Sequence, residues 1–256
     1  MRATLKQIKP DVIWLSPPCQ PASSLNRNKK PNDPRAAAAV AACGHSISAR
    51  PALILIENVP AWSKTRPYGQ IIRMMQNAAY IVSTHILDVA KCGIAQSRKR
   101  LIVAAFLGRE PVGIATTLSR LQRGPDTVIK DVLPDVQHIY FPPRPSRKQA
   151  YVISADDTCP TITTKCMGRP GRAMRPCKAN SAELKDATVL TIRDFAKLQG
   201  FPTTYPLPYS SPTLAARMIG NAFPAAAAQV LAKAVTPALH RHLRQPVLRH
   251  ASITVP

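Results

Sequence analysis

The sequence predicts an α/β fold, because short apolar runs of strand length alternate with segments of helical spacing. Val12–Leu15 is β-branched and apolar and is stopped by Ser16, Pro17 and Pro18. Leu53–Ile56 is a continuous apolar run, the form taken by a parallel strand covered on both faces. Between Gly69 and Ala79 the apolar residues Ile71, Ile72, Met75 and Ala79 recur at helical intervals. The order strand, helix, strand, helix, strand, strand is that of a layered α/β sheet.

Taken in order, the first strand ends in a stiff turn, since each proline fixes φ and carries no N–H. Cys19 stands directly behind it, at the carboxyl edge where open α/β sheets keep their chemistry. A free cysteine is by habit a small buried hydrophobe; the later stretches give this one another reading. The polar, basic segment after Cys19 reads as a loop of about 15 residues, long enough to be functional. Arg35 to Cys43 is alanine-rich and predicts a helix. Glu57 and Asn58 close the Pro51–Val59 stretch and fall at the same sheet edge as Cys19. Tyr80–Leu87 and Leu101–Leu107 predict strands, with Gln96-Ser97-Arg98-Lys99-Arg100 just before the second.

From Arg109 to Lys185 prolines and basic residues break the pattern, which predicts a separate loop-rich lobe. Thr191 followed by Asp194 forms a capping-box pattern, and Gly200 suits the position after a helix end. Ser211 and Pro212 mark another helix start. The turn Ile219–Pro224 leads into an alanine-rich helix expected to end near Pro237. There are no internal repeats.

Thirty-five Lys and Arg against 13 Asp and Glu give the 256-residue chain a net charge of +22. No acidic residue follows Asp194, whereas six basic ones do. Such a field attracts polyanions, so nucleic acid is the first partner to consider. No run of about 18 apolar residues argues for a membrane span, and the amino terminus lacks the apolar centre of a signal peptide. Six cysteines without tight paired spacing fit reduced thiols, and a cytoplasmic setting is expected.

Five segments then occur in one order: Pro18-Cys19-Gln20, Glu57-Asn58-Val59, Gln96-x-Arg98-x-Arg100, Arg193 to Pro202 and Gly220-Asn221-x-x-Pro224. In this the chain resembles the DNA cytosine-5 methyltransferases, from Pro10 to about Val235. The resemblance implies the carboxyl-terminal half of a Rossmann-like methyltransferase sheet plus a small, mainly β target-recognition lobe. Residues 1–108 would form the catalytic domain, 109–187 the target-recognition region, and 188–256 a helical return to the catalytic domain.

By resemblance, Cys19 adds as thiolate to carbon 6 of cytosine, which turns carbon 5 into a nucleophile. Glu57 gives ring nitrogen 3 a hydrogen bond or proton, for which its carboxyl group must carry a proton. Of Arg98 and Arg100, one orients the extruded nucleotide near Glu57 and the other holds phosphate or a structural carboxylate; Arg98 is assigned to the site. Asn58 fixes the Cys19 turn, with Gln20 and Gln96 as further supports. Ser23 and Arg27 lie in the loop expected to close on a flipped base. Thr161, Thr163 and Thr164 are expected to face double-stranded DNA.

The family holds S-adenosylmethionine with a Phe-x-Gly-x-Gly turn and acidic strand ends, none of which is present in this sequence. Pro18, Asn221 and Ala222 are what the resemblance leaves for the cofactor. A split enzyme completed by an amino-terminal cofactor-binding polypeptide is one expectation; a truncated, inactive DNA-binding remnant is the other. A zinc-stabilised DNA-binding module built on His138, Cys159, Cys166 and Cys177 is an alternative from another class, although the spacings lack a paired C-x-x-C. No metal is assigned to the catalytic site.

Overall fold

In a computed structural model the described residues are 2–18, 34–110, 112–122, 126–141, 151–164, 167 and 186–244. The expected loop after Pro18 therefore lies almost wholly outside them. Two compact units emerge: 1–87 with 99–120 and 231–256, and 88–98 with 121–230. These units do not follow the expected cuts at 108 and 187. Residues 88–98 and 188–230 group with the target-recognition stretch, and 109–120 groups with the catalytic one.

The first unit contains a four-stranded sheet of order β1-β2-β5-β3, made of β1 (Val12–Leu15), β2 (Leu53–Asn58), β3 (Tyr80–Asp88) and β5 (Lys99–Leu107). Helix α1 (Arg2–Ile8) precedes β1, and α2 (Pro34–Ser48) and α3 (Arg66–Asn77) follow β1 and β2. β1 and β2 are parallel, with Leu15 opposite Ile56, whereas β2 and β5 are antiparallel, with Glu57 opposite Ile102. β2 is parallel to β1, as its continuous apolar run predicted, and the antiparallel β5 makes the sheet mixed. Burial of β5 on both faces carries no strand direction of its own.

Apolar side chains fill the centre of this unit: Ile54, Ile56, Val103 and Ala105 pack with Cys43 of α2 and with Ile71 and Met75 of α3. Helix α3 starts as its sequence dictates, with Thr65 Oγ1 accepting from the Tyr68 N–H and Pro67 in the first turn. Helix α2 runs five residues past the expected end at Cys43, because Cys43 and Ser46 continue its buried face. β1 is an outer strand of this sheet, as β3 is, and its Val12 and Trp14 are 39% and 40% exposed.

The second unit contains β4 (Gln96–Ser97) paired in parallel with β8 (Cys159–Pro160), and a three-stranded sheet of order β7-β6-β9. Its strands are β6 (His138–Phe141), β7 (Tyr151–Ser154) and β9 (Ala187–Thr188). Two short helices also fall in the stretch expected to be loop and strand: α4 (Ile114–Leu121), almost wholly in the first unit, and α5 (Ile129–Val132). Helix α6 (Ile192–Leu198) carries the expected capping box: Thr191 Oγ1 accepts from the Asp194 N–H at 3.2 Å, and Asp194 Oδ2 accepts from the Thr191 N–H at 2.9 Å. It ends in a Schellman turn, with Gly200 N–H donating to Lys197 O at 2.8 Å and Phe201 N–H to Ala196 O at 3.0 Å. Gly200 is at φ +81°, and a Cβ there would collide with Ile94.

Helix α7 (Pro212–Asn221) begins at Pro212 as expected. Helix α8 (Ala225–Arg244) does not stop at Pro237 but runs through it. Pro237 is exposed, so the carbonyl freed by its missing N–H meets solvent, while Leu231, Ala234, Val235 and Ala238 carry the buried stripe past it. The stretch Pro212–Arg244 is long and apolar enough to cross a membrane by length and composition alone. It is broken by the non-helical Ala222–Pro224, and Ala215, Ala216, Ile219 and Leu231 are buried in protein.

Burial pushes the Cys43 thiol up to about 12, and burial followed by the Asp88 carboxylate raises Cys92 to about 11, both from 9.0. Below 9 the folded and unfolded chains hold these protons alike. Above it the unfolded chain releases protons that the folded one keeps, so stability falls as pH rises from 9 toward about 12. Urea unfolding across that range is expected to show this slope, and Cys43→Ala to flatten it.

Candidate active site

The β1–β2 register builds the site. With Leu15 opposite Ile56, the next pair along the two parallel strands is Ser16 and Glu57. Ser16 Oγ donates to Glu57 Oε2 at 2.7 Å. One residue further, Asn58 Nδ2 donates to the Pro17 carbonyl at 3.1 Å while Asn58 Oδ1 accepts from the Val59 N–H at 2.9 Å. Asn58 is buried, and it ties the first proline of the turn to the end of β2.

Glu57 Oε1 is held by Arg100 Nε at 2.8 Å, with the two side chains 13% and 11% exposed. Glu57 sits opposite Ile102, so Arg100, two residues earlier on β5, is its diagonal neighbour on the same face. Arg100 Nη1 also donates to Lys99 O at 2.9 Å. Arg98 is displaced by two more residues, a rise of roughly 6.8 Å along a strand, and turns elsewhere. The guanidinium at Glu57 is therefore that of Arg100, the arginine left to hold phosphate or a structural carboxylate when Arg98 was assigned to the extruded nucleotide.

Arg98 is 4% exposed and donates to Ile162 O at 3.1 Å, to Ala222 O at 3.2 Å and to Gln96 Oε1 at 3.4 Å. Gln96, expected as a support, is fully buried and accepts from the Ile162 N–H at 2.9 Å. Gln199 joins the same cluster, accepting from Gln96 Nε2 and donating to Ala222 O at 2.8 Å. Of the three threonines expected on DNA, Thr161 spends its hydroxyl on Ser97 O at 2.6 Å, Thr163 is half-buried and Thr164 is exposed.

Pro18 is exposed, and so is Asn221, the last residue of α7. Cys19, Gln20, Ser23 and Arg27 lie outside the described residues, as do Cys166 and Cys177 of the zinc reading. Cys159 is buried, with its thiol donating to Pro160 O at 3.4 Å. Ser16 and Gln199 were not assigned roles from sequence. Ser16 was findable once β1 and β2 were taken as parallel with matched ends; nothing local singled out Gln199.

A cavity of about 150 Å³ lies against Ser16 and Pro17, lined further by Leu15, Cys43, Ile56 and Ile71. Apart from Ser16 its walls are apolar, and the raised thiol of Cys43 is no nucleophile near neutral pH.

The carboxylate held by a guanidinium and a hydroxyl lies at the carboxyl end of a sheet strand, beside a Pro-Pro turn, which is where open α/β sheets place their ligands. The profile of the C-5 cytosine-specific DNA methylases matches residues 2–158 and 143–236, and the chain belongs to that family. It is 29% identical over 237 residues to the type II methyltransferase M.HindV of Haemophilus influenzae, covering 90% of this chain and 76% of that one. M.HgiDI of Herpetosiphon aurantiacus is 26% identical over 255 residues, covering 97% and 79%. Among solved structures, Dnmt2 methyltransferase of S. pombe superposes with TM-score 0.64 at 17% identity, covering 93% of this chain and 81% of that one. EhMeth of Entamoeba histolytica gives 0.59 at 17% identity, covering 95% and 81%. These two show a shared fold.

Arg100→Ala strands a largely buried carboxylate and is expected to cost about 3 kcal/mol of folding stability. Arg100→Lys recovers only part of that, because an ammonium does not reproduce the Nε geometry. Urea unfolding of the two variants is the measurement.

Proposed function

We propose that this chain methylates carbon 5 of a cytosine extruded from double-stranded DNA, through a covalent adduct with Cys19. The observation that carries this reading is the clamp on Glu57, with Oε1 on Arg100 and Oε2 on Ser16, beside a turn pinned by Asn58. Cys19 follows Pro18 by one peptide bond, so the pinned turn is the mount from which its thiolate acts.

The carbon–sulfur bond forms at carbon 6, and the displaced electron pair is accepted in the ring as nitrogen 3 takes a hydrogen bond or proton from Glu57. Carbon 5 then takes the methyl group. Water then takes the carbon 5 proton, the electron pair left behind forms the 5,6 double bond and expels the thiolate, and nitrogen 3 returns its proton to Glu57, which restores the aromatic ring and frees Cys19. Arg100 fixes the orientation of Glu57, and Asn58 that of the turn. Arg98 holds the backbone of Ile162 and Ala222, and Thr164 is the exposed candidate for DNA contact.

The methyl group is supplied by S-adenosylmethionine when it is bound. Of the residues assigned to it, Pro18 and Asn221 are exposed, and the Ala222 carbonyl is already taken by Gln199 and Arg98. None is acidic, so none can hold ribose hydroxyls as a carboxylate does. The exposed apolar residues Val12 and Trp14 on edge strand β1 suit cover by a cofactor-binding polypeptide.

DNA carrying 5-fluorocytosine tests the mechanism, since the fluorine cannot leave as a proton does and the adduct persists. A denaturing gel is expected to show a protein–DNA band that requires S-adenosylmethionine, and the cofactor-binding polypeptide where the site needs completing. Cys19→Ala abolishes the band, and Glu57→Ala slows its formation by about 100-fold or more. A band that survives Cys19→Ala ends the proposal. Calorimetry on the 256-residue chain alone is expected to give little heat with S-adenosylmethionine; micromolar affinity there would refute the reading that the cofactor site is incomplete.

A further inference from the structure

The cluster around Arg98 is a closed ring whose hydrogen-bond directions are fixed. The Ile162 N–H can only donate, so Gln96 presents Oε1 to it. That turns Gln96 Nε2 toward Gln199 Oε1, and Gln199 must then present its own Nε2 to the Ala222 carbonyl. Arg98 closes the ring, with Nη2 on Ala222 O and Nη1 on Ile162 O. Gln96 and Gln199 are fully buried, so each bond stands in for water that cannot reach it.

A second contact joins the same two chain segments. A Cβ on Gly220 would collide with the Thr164 nitrogen and would come within 2.7 Å of the Thr163 carbonyl carbon. The end of α7 and the Thr163–Thr164 backbone are therefore packed without space for a methyl group. At its exposed tips this block presents Asn221, assigned to the cofactor, and Thr164, assigned to DNA.

We infer that Gln199 is a positioning residue that couples the Asn221–Ala222 turn to the Ile162–Thr164 segment, so that binding at one is felt at the other. The ligand assignments rest on the proposed function; the coupling itself rests on the ring. Gln199 is suited to this because it alone passes the bond direction from Gln96 to Ala222. A carboxylate in its place still accepts from Gln96 but has nothing to donate to Ala222 O.

Amide hydrogen exchange on the full chain tests this without activity. Gln199→Glu is expected to speed exchange by about tenfold, the loss of roughly one buried hydrogen bond, at Ile162 and at Ala222 together. Amides of the β6–β7 pair keep their wild-type rates. A rise at Ala222 with none at Ile162 overturns the coupling, and so does an equal rise throughout the unit, which would make Gln199 merely structural. Gln199→Met separates the two roles of the amide, since it removes both bonds and is expected to loosen Gln96 as well. With a cytosine-containing duplex added, protection of 161–164 is expected to extend to 221–223 in the wild type and to stop at 164 in Gln199→Glu. A duplex that protects neither stretch counts against the DNA reading, and the ring is then decided by the exchange without ligand.

Discussion

The register of β1 on β2 is the constraint from which the site follows. Leu15 faces Ile56, so Ser16 meets Glu57 and Pro17 meets Asn58 without further design. A slip of one residue would send Glu57 to the opposite face of the sheet and break both contacts. The slip is opposed at each end: the Leu53 N–H donates to Asp11 O at 3.0 Å at the start of the pair, and Asn58 holds Pro17 at its finish. The prolines matter here because neither can donate an N–H; the turn is held by its carbonyl, and a buried amide side chain is the donor that reaches it.

Much of this was legible in the sequence because it depends on local pattern. The apolar runs ending at Leu15 and Ile56, the Thr191–Asp194 capping box and Gly200 after α6 are each written in adjacent residues. Strand direction was not legible, since the buried run of β5 reads the same either way. Nor was which of Arg98 and Arg100 pairs with Glu57. Residues two apart share a face of a strand, so alternation treats them alike; only the Glu57–Ile102 pairing decides that Arg100 is in reach. Pro237 misled for the opposite reason: a local rule for ending helices yielded to a buried stripe that continues on the far side of an exposed proline.

The segment Gln96 to Arg100 shows how five residues serve two units. Gln96 and Arg98 face the buried ring with Ile162, Gln199 and Ala222, whereas Arg100 pairs with Glu57. The two arginines meet different acceptors and so do different physical work. Arg100 meets a carboxylate, where the charge itself is matched. Arg98 is given carbonyl oxygens, where the planar fork matters because it spans two backbone segments at once. A lysine would keep the charge at either position but could not span both carbonyls at the second.

The clamp on Glu57 also says which side of the carboxylate the substrate meets on the proposed reading. Each oxygen carries one bond and keeps a second lone-pair site, so the question is which of the two carries the proton that ring nitrogen 3 accepts. Displacing Arg100 from Oε1 would break a charge-assisted bond between groups 11% and 13% exposed, and such largely buried pairs cost about 3–5 kcal/mol to break. A proton on Oε2 leaves the Arg100 bond intact and asks only the neutral Ser16 hydroxyl to shift, at a net cost nearer 1 kcal/mol. Ser16 is exposed, and its hydroxyl can rotate to water as it leaves. On the proposed reading Oε2 is therefore the oxygen that serves ring nitrogen 3, Arg100 stays in place, and the serine before the two prolines orients the carboxylate until the base arrives.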